Sequence, residues 1–200
     1  MNISPSGQAC GAHITGLDLS KPLPTNTLQG IRDAWLEHHV LAFPDQRLDD
    51  EDLVRVTQAL GDVGDDPFFV PISKKTPVVA LTRRADEQAP VFAENWHTDW
   101  SFKKYPPIGT CLYSLVVPPV GGNTGFANQQ MALAQMPDGL RNRLEGKVAL
   151  HSAAAAYGPQ GTYGEKDQGN DRSMKILFSE QANKSEPHPI VVKHPESGND

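Results

Sequence analysis

Apolar residues along the chain recur with two different periods. Leu28, Ile31 and Trp35 fall three and four residues apart, which puts them on one face of a helix, and Thr27 in front of them reads as its N-cap. The pattern predicts a helix from Thr27 to near His38. A second stripe, Leu53, Val56 and Leu60, follows a run of acidic residues suited to a helix N-terminus, and Gly61 is a natural stop. This helix is predicted to open at Asp49 or Asp50. The short apolar run 40–43, closed by Pro44, reads as a buried strand. Residues 9–14 alternate weakly. Together with 78–82, 110–117, 148–152 and 190–193 they are expected to be strands. Short helices are expected at 129–135, ended by Pro137, and at 139–144. Residues 157–184 are polar and glycine-rich and read as a long mobile loop, a lid or a disordered segment.

Seventeen glycines and seventeen prolines, spread along 200 residues, imply many turns. Strands separated by turns, with helices near the start, predict an α+β or β-sandwich domain rather than a βαβ fold. With 38% hydrophobic and 21% charged residues, the composition is that of an ordinary soluble globular protein. The net charge of −6 and the lack of any Lys/Arg run beyond isolated pairs argue against a nucleic-acid surface. Cys10 and Cys111 give no disulfide framework and no cysteine-rich metal site, so a reducing cytoplasm is the default compartment. The first ten residues have no basic start and no apolar stretch, so no secretory signal is expected. The apolar windows 112–117 and 148–157 are far short of a membrane span. The sequence leaves room for a homo-oligomer without calling for one.

The stretch Asn95-Trp96-His97-Thr98-Asp99-Trp100 carries the chemistry. In an extended backbone, residues i and i+2 point to the same side, so His97 and Asp99 project together. An imidazole and a carboxylate side by side are two of the three ligands of a 2-His-1-carboxylate facial triad, which suits non-haem Fe(II). Taken alone, His-x-Asp is a weak signal, and a surface histidine beside an aspartate is the blander reading of the tripeptide. Asn95 and Trp96 are candidates to line the same face, Asn95 as a hydrogen-bond donor to substrate or as a turn-stabilising residue.

The surroundings of the tripeptide add to it. Trp96-His97-Thr98-Asp99 is followed by Phe102-x-x-x-Pro106-Pro107 and by Pro118-x-x-Gly121-Gly122-x-Thr124. Upstream stands Gly11-Ala-x-Ile-x-Gly-x-Asp-Leu19, and near the end His188-Pro-x-Val-x-x-His194-Pro. In this order, these elements resemble the TauD/TfdA family of Fe(II)/2-oxoglutarate-dependent dioxygenases. The resemblance implies a double-stranded β-helix (jelly roll) with flanking helices, α+β and mainly β, with its C-terminal strands missing. Residues 1–200 would then form a single dioxygenase-like domain, incomplete at the C-terminus. It implies His97 and Asp99 as iron ligands and Thr124 as a hydroxyl donor to a 2-oxoglutarate carboxylate, where Thr124 would otherwise read as a strand-starting turn residue. The implied reaction uses O2 and 2-oxoglutarate, releases succinate and CO2, and hydroxylates a small, anionic organic substrate.

Two departures from the family pattern stand out. Positions that hold a taurine-binding His, Tyr and Asn in one family member correspond here to Asp66, Phe69 and Ala93, which speaks against taurine itself. Phe68 and Phe69 suggest an apolar wall, or simply core. The family's distal His ligand and its 2-oxoglutarate-pairing Arg follow the His-Pro segment, beyond the residues present. His188 and His194 each precede a proline and read as loop residues. His151 is the best in-chain substitute for the third ligand, and His13, His38 and His39 read as strand and helix-end residues. Two rival readings remain open, a catalytically inactive remnant of the family and a zinc-dependent hydrolase. The second lacks His-Glu-x-x-His or any comparable signature.

Overall fold

Helix α1 runs over Thr25–His38, two residues ahead of the expected start. Pro24 takes the N-cap place in extended conformation, and its carbonyl receives the Thr27 and Leu28 N–H groups, so Thr27 sits inside the first turn. The helix ends at His39, in the left-handed region at φ 64°, where the Trp35 indole donates to the His39 carbonyl at 3.0 Å. Helix α2, Asp50–Leu60, opens on a capping box in which the Asp49 side chain accepts the Asp52 N–H. At its far end Arg32 from α1 donates to the Leu60 carbonyl at 3.0 Å.

The computed structural model describes residues 1–199, which group into two compact units interleaved along the chain. The first unit holds Met1–Gly61, Leu112–Lys147 and the stretch from Pro189 onward. Its sheet has the order β1 (Asn2–Pro5), β2 (Ala12–Thr15), β3 (Leu41–Ala42), with β1 and β2 antiparallel and β2 and β3 parallel. Strand β2 alternates as a half-buried strand should, Ala12 and Ile14 inward and His13 and Thr15 outward. Ile14 and Ile31 are fully buried, each contributing roughly 1.5–3 kcal/mol of apolar transfer. Short helices α3 (Gln129–Ala134) and α4 (Asp138–Leu144) agree with the sequence pattern.

The second unit holds Asp62–Cys111 and Val148–His188. Strands β4 (Val148–Ser152) and β5 (Ser185–Pro189) form a two-stranded sheet, and α5 covers Ala154–Tyr157. Phe68 lies in its core with Ala153 and Ala182, stacked on Tyr157 at 4.2 Å between ring centroids.

Three expectations are corrected. Helix and strand are both present, but helices α1–α5 hold more of the described residues than the strands do, so the chain as described is not mainly β. The runs 78–82, 110–117 and 190–193 are not strands, because among the described residues none joins a sheet: Val78 accepts the Ile72 N–H and Ile190 donates to the Lys147 carbonyl, but neither contact extends into a ladder. Val116 is consequently 91% exposed. Residues 157–184, expected to be a mobile loop, are knitted into the unit. Arg172 pairs with the buried Asp167, Tyr163 and Ile176 are buried, and two 3-10 turns occupy Asp167–Gly169 and Glu180–Asn183. Three of the four glycines that suggested flexibility, Gly158, Gly161 and Gly164, answer to close packing. A Cβ on Gly164 would stand 2.2 Å from the Pro159 carbonyl oxygen, and one on Gly161 2.6 Å from that of Ala154.

Candidate functional site

The segment 95–99 has no regular secondary structure and belongs to the second unit. Its backbone is bracketed by two non-glycine residues in the left-handed region, Ala93 at φ 55° and Trp100 at φ 45°. Such conformations cost on the order of 1–3 kcal/mol each and persist only where the surroundings impose them. Between them, His97 and Asp99 project to one point, with Nε2 of the ring 3.1 Å from Oδ1 of the carboxylate.

The tautomer of the neutral His97 ring follows from its neighbour. His97 Nδ1 lies 2.8 Å from the Asn95 carbonyl oxygen, which can only accept, so Nδ1 carries the hydrogen. In the neutral ring Nε2 is then a bare lone pair facing a carboxylate oxygen. That contact is repulsive unless a cation sits against both or the ring takes a second proton. Two ligands at right angles on a metal about 2.0–2.2 Å from each would stand about 2.8–3.1 Å apart. The observed separation fits that geometry, and a carbonyl-fixed Nδ1–H is the arrangement that metal-ligating histidines use.

Asp99 is also oriented. Its second oxygen, Oδ2, accepts the Thr110 hydroxyl at 2.6 Å, which leaves Oδ1 turned toward His97. The pair is open to solvent, with side chains 51% and 48% exposed. Nearby, the Tyr157 hydroxyl is pushed well above the usual tyrosine range by burial and then by Tyr163, Asp66 and Asp99, so it stays protonated. Asp66 serves its own turn, accepting the Phe68 N–H at 2.8 Å, and burial raises its carboxyl above the usual carboxylate range.

Asn95 contributes its main-chain carbonyl to His97, and Trp96 is 75% exposed. Thr124 stands in the first unit, exposed and without regular structure. Among the described residues, no third His, Cys, Asp or Glu joins His97 and Asp99 in a group able to hold a metal. His151 meets His188 instead, ring edge to ring face with centroids 5.3 Å apart, and His188 Nε2 donates to the Lys103 carbonyl. Sequence reasoning missed Thr110, since a threonine opening a presumed strand gives no sign of a hydrogen bond to a carboxylate eleven residues earlier.

A profile of the taurine catabolism dioxygenase TauD, TfdA family matches residues 2–200. An alkylsulfatase of Acinetobacter baylyi is 34% identical over 189 residues, covering 94% of this chain and 57% of the relative. An alpha-ketoglutarate-dependent sulfate ester dioxygenase of Pseudomonas putida is 30% identical over 203 residues, covering 99% of this chain and 64% of its own length. The chain therefore spans about three fifths of these relatives. A taurine dioxygenase structure from Burkholderia xenovorans superposes with a TM-score of 0.71 over 99% of this chain and 60% of its own, at 24% identity, a likeness of fold. No helix among the described residues is long and apolar enough to cross a membrane.

Proposed function

We propose, since the chain belongs to the TauD/TfdA dioxygenase family, that it is the metal-bearing part of an Fe(II)- and 2-oxoglutarate-dependent dioxygenase, built on the double-stranded β-helix expected of that family. His97 and Asp99 are the two metal ligands this chain supplies. The observation that carries the reading is the 3.1 Å approach of His97 Nε2 to Asp99 Oδ1, with Nδ1 committed to a carbonyl. Bound iron supplies the activation of O2 and 2-oxoglutarate that no side chain can provide. The chain's own residues do the positioning. The Asn95 carbonyl sets the ring tautomer, Thr110 turns the carboxylate, and Thr124 is assigned to the co-substrate carboxylate as a hydroxyl donor. Among the described residues no third ligand joins His97 and Asp99.

The substrate class is a small organic anion. Both relatives are named for sulfate-ester chemistry, and a sulfate ester hydroxylated on the carbon bearing oxygen breaks down to aldehyde and sulfate. Burial raises the Asp66 carboxyl above the usual carboxylate range, and the apolar Phe68, Phe69 and Tyr157 cluster suits an apolar chain better than a second charge.

The test uses Mn(II), which takes the same nitrogen and oxygen ligands and broadens nearby nuclear resonances. Titrated into the chain, it should selectively broaden His97 ring and Asp99 signals, and His97→Ala should abolish the effect. Broadening undiminished in that variant would end the metal-site reading. Succinate release by this chain with Fe(II), ascorbate and 2-oxoglutarate should stay far below a full family rate, because two ligands hold iron poorly.

A further inference from the structure

We propose that Tyr163 is a positioning residue for the His97–Asp99 pair, acting through the main chain of Ala93; the inference rests on those two side chains being metal ligands. Tyr163 is buried, and its hydroxyl oxygen accepts the Ala93 N–H at 3.1 Å. Ala93 is the strained left-handed residue at the entrance to the segment. Glycine takes that conformation freely, whereas alanine must be held there. The residues between Ala93 and His97 include Asn95, whose carbonyl fixes the His97 ring. Relaxing Ala93 to an ordinary backbone angle would redirect that carbonyl and the imidazole together. One hydrogen bond at Ala93 therefore acts on the orientation of a ligand it does not touch.

Tyr163 can bear this role because it is itself immobilised. The Arg172 guanidinium lies over its ring at 5.2 Å, Phe92 and Tyr157 pack against it at 5.5 and 5.6 Å, and its own N–H donates to the Ala156 carbonyl at 2.8 Å. Arg172 extends the same grip along the chain. It pairs with Asp167 and donates to the Pro90 carbonyl at 3.0 Å, three residues before Ala93. Arg83 holds the Ala89 carbonyl at 2.9 Å. The approach to the pair is thus pinned at Ala89, Pro90 and Ala93, and only the last contact governs a residue in a disfavoured conformation. The segment that supplies Tyr163 and Arg172 gains a purpose beyond packing.

The experiment compares Mn(II) affinity at His97 and Asp99, read from resonance broadening, in the unaltered chain, Tyr163→Phe, His97→Ala and the double variant Ala93→Gly/Tyr163→Phe. Tyr163→Phe keeps the ring and removes only the acceptor oxygen. It should weaken Mn(II) binding about tenfold, the low end of the effect of losing an outer partner of a ligand, while amides around Asp167 keep their exchange protection. Ala93→Gly should restore part of the loss by making the left-handed angle intrinsic, a rescue that a general packing role would not give. Unchanged affinity in Tyr163→Phe, or no recovery from glycine, overturns the proposal. Persistence of broadening in His97→Ala instead overturns the metal site beneath it. A measurement independent of any variant is hydrogen exchange at the Ala93 amide, expected to be slow. Exchange at the free-peptide rate overturns the proposal even if Tyr163→Phe does not fold.

Discussion

Replacing Arg172 by methionine should destabilise the second unit by about 3 kcal/mol, the low end of the ~3–5 kcal/mol typical when one member of a buried ion pair is removed. Arg172 and Asp167 side chains are 5% and 4% exposed, and the guanidinium grips the carboxylate through Nε at 2.9 Å and Nη2 at 3.0 Å. Methionine fills much of the stem's space but leaves the carboxylate without its cation. Asn170 still donates to Asp167 Oδ1 at 2.8 Å, which is why the low end applies. For a chain of this size the loss corresponds to a fall of about 6–12 °C in the unfolding midpoint. The Arg172 hydrogen bonds hold the Asp167 carboxyl below its usual range. A depressed carboxyl contributes stability that is present above its unfolded pKa and lost as pH falls through the folded one. The difference between the two proteins should therefore be full at pH 7 and shrink on acidification below about pH 4. Urea denaturation followed by fluorescence measures it, and Asp167→Asn in the Arg172→Met background should recover part of the loss by removing the stranded charge. A loss under about 1 kcal/mol at pH 7, the scale of exposed pairs, would refute the claim that this pair is buried and fastens residues 157–184.

Thr110→Val removes the 2.6 Å hydrogen bond to Asp99 Oδ2 and should lower Mn(II) affinity by about 10-fold or more with little change in the unfolding midpoint; equal affinity would dismiss Thr110 from the site. Asp66→Asn keeps an acceptor for the Phe68 N–H and deletes a carboxyl whose pKa burial raises. A raised carboxyl costs stability as pH climbs through the window above its unfolded pKa, so the variant should be the more stable near pH 7 and lose that advantage in acid, as thermal melts at both pH values would register. Gly164→Ala puts a methyl 2.2 Å from the Pro159 carbonyl oxygen and should cost about 1–3 kcal/mol by urea denaturation; tolerance would mean the 157–184 segment gives way easily.

What the sequence disclosed and what it hid divide along the range of the interactions. Helices α1 and α2 were legible because a stripe, a cap and a stop are all written within a dozen residues, and Thr27 was misplaced by only one turn because Pro24 competes for the same cap. His97 and Asp99 do converge as their two-residue spacing suggested, although the segment is irregular and turns at Asp99 rather than running as a strand. The strands at 78–82, 110–117 and 190–193 failed because β structure is a property of pairs. A run such as 110–117 has the residues of a strand and, among the described residues, no neighbour to complete it.

The segment 157–184 failed in the opposite sense. Glycine was read as freedom where it marks close approach, and the residues that hold the segment find partners far away in sequence, Arg172 at Pro90 and Tyr163 at Ala93. The pair proposed as ligands therefore lies within six letters, while the residues that hold its segment are remote from it. A hydroxyl from Thr110 and another from Tyr163 reach the segment from 11 and 70 residues away from the groups they bind. A substitution in the 157–184 segment can on this account damage the metal pair without touching it, and the loss of affinity should track the Ala93 backbone rather than the distance to His97.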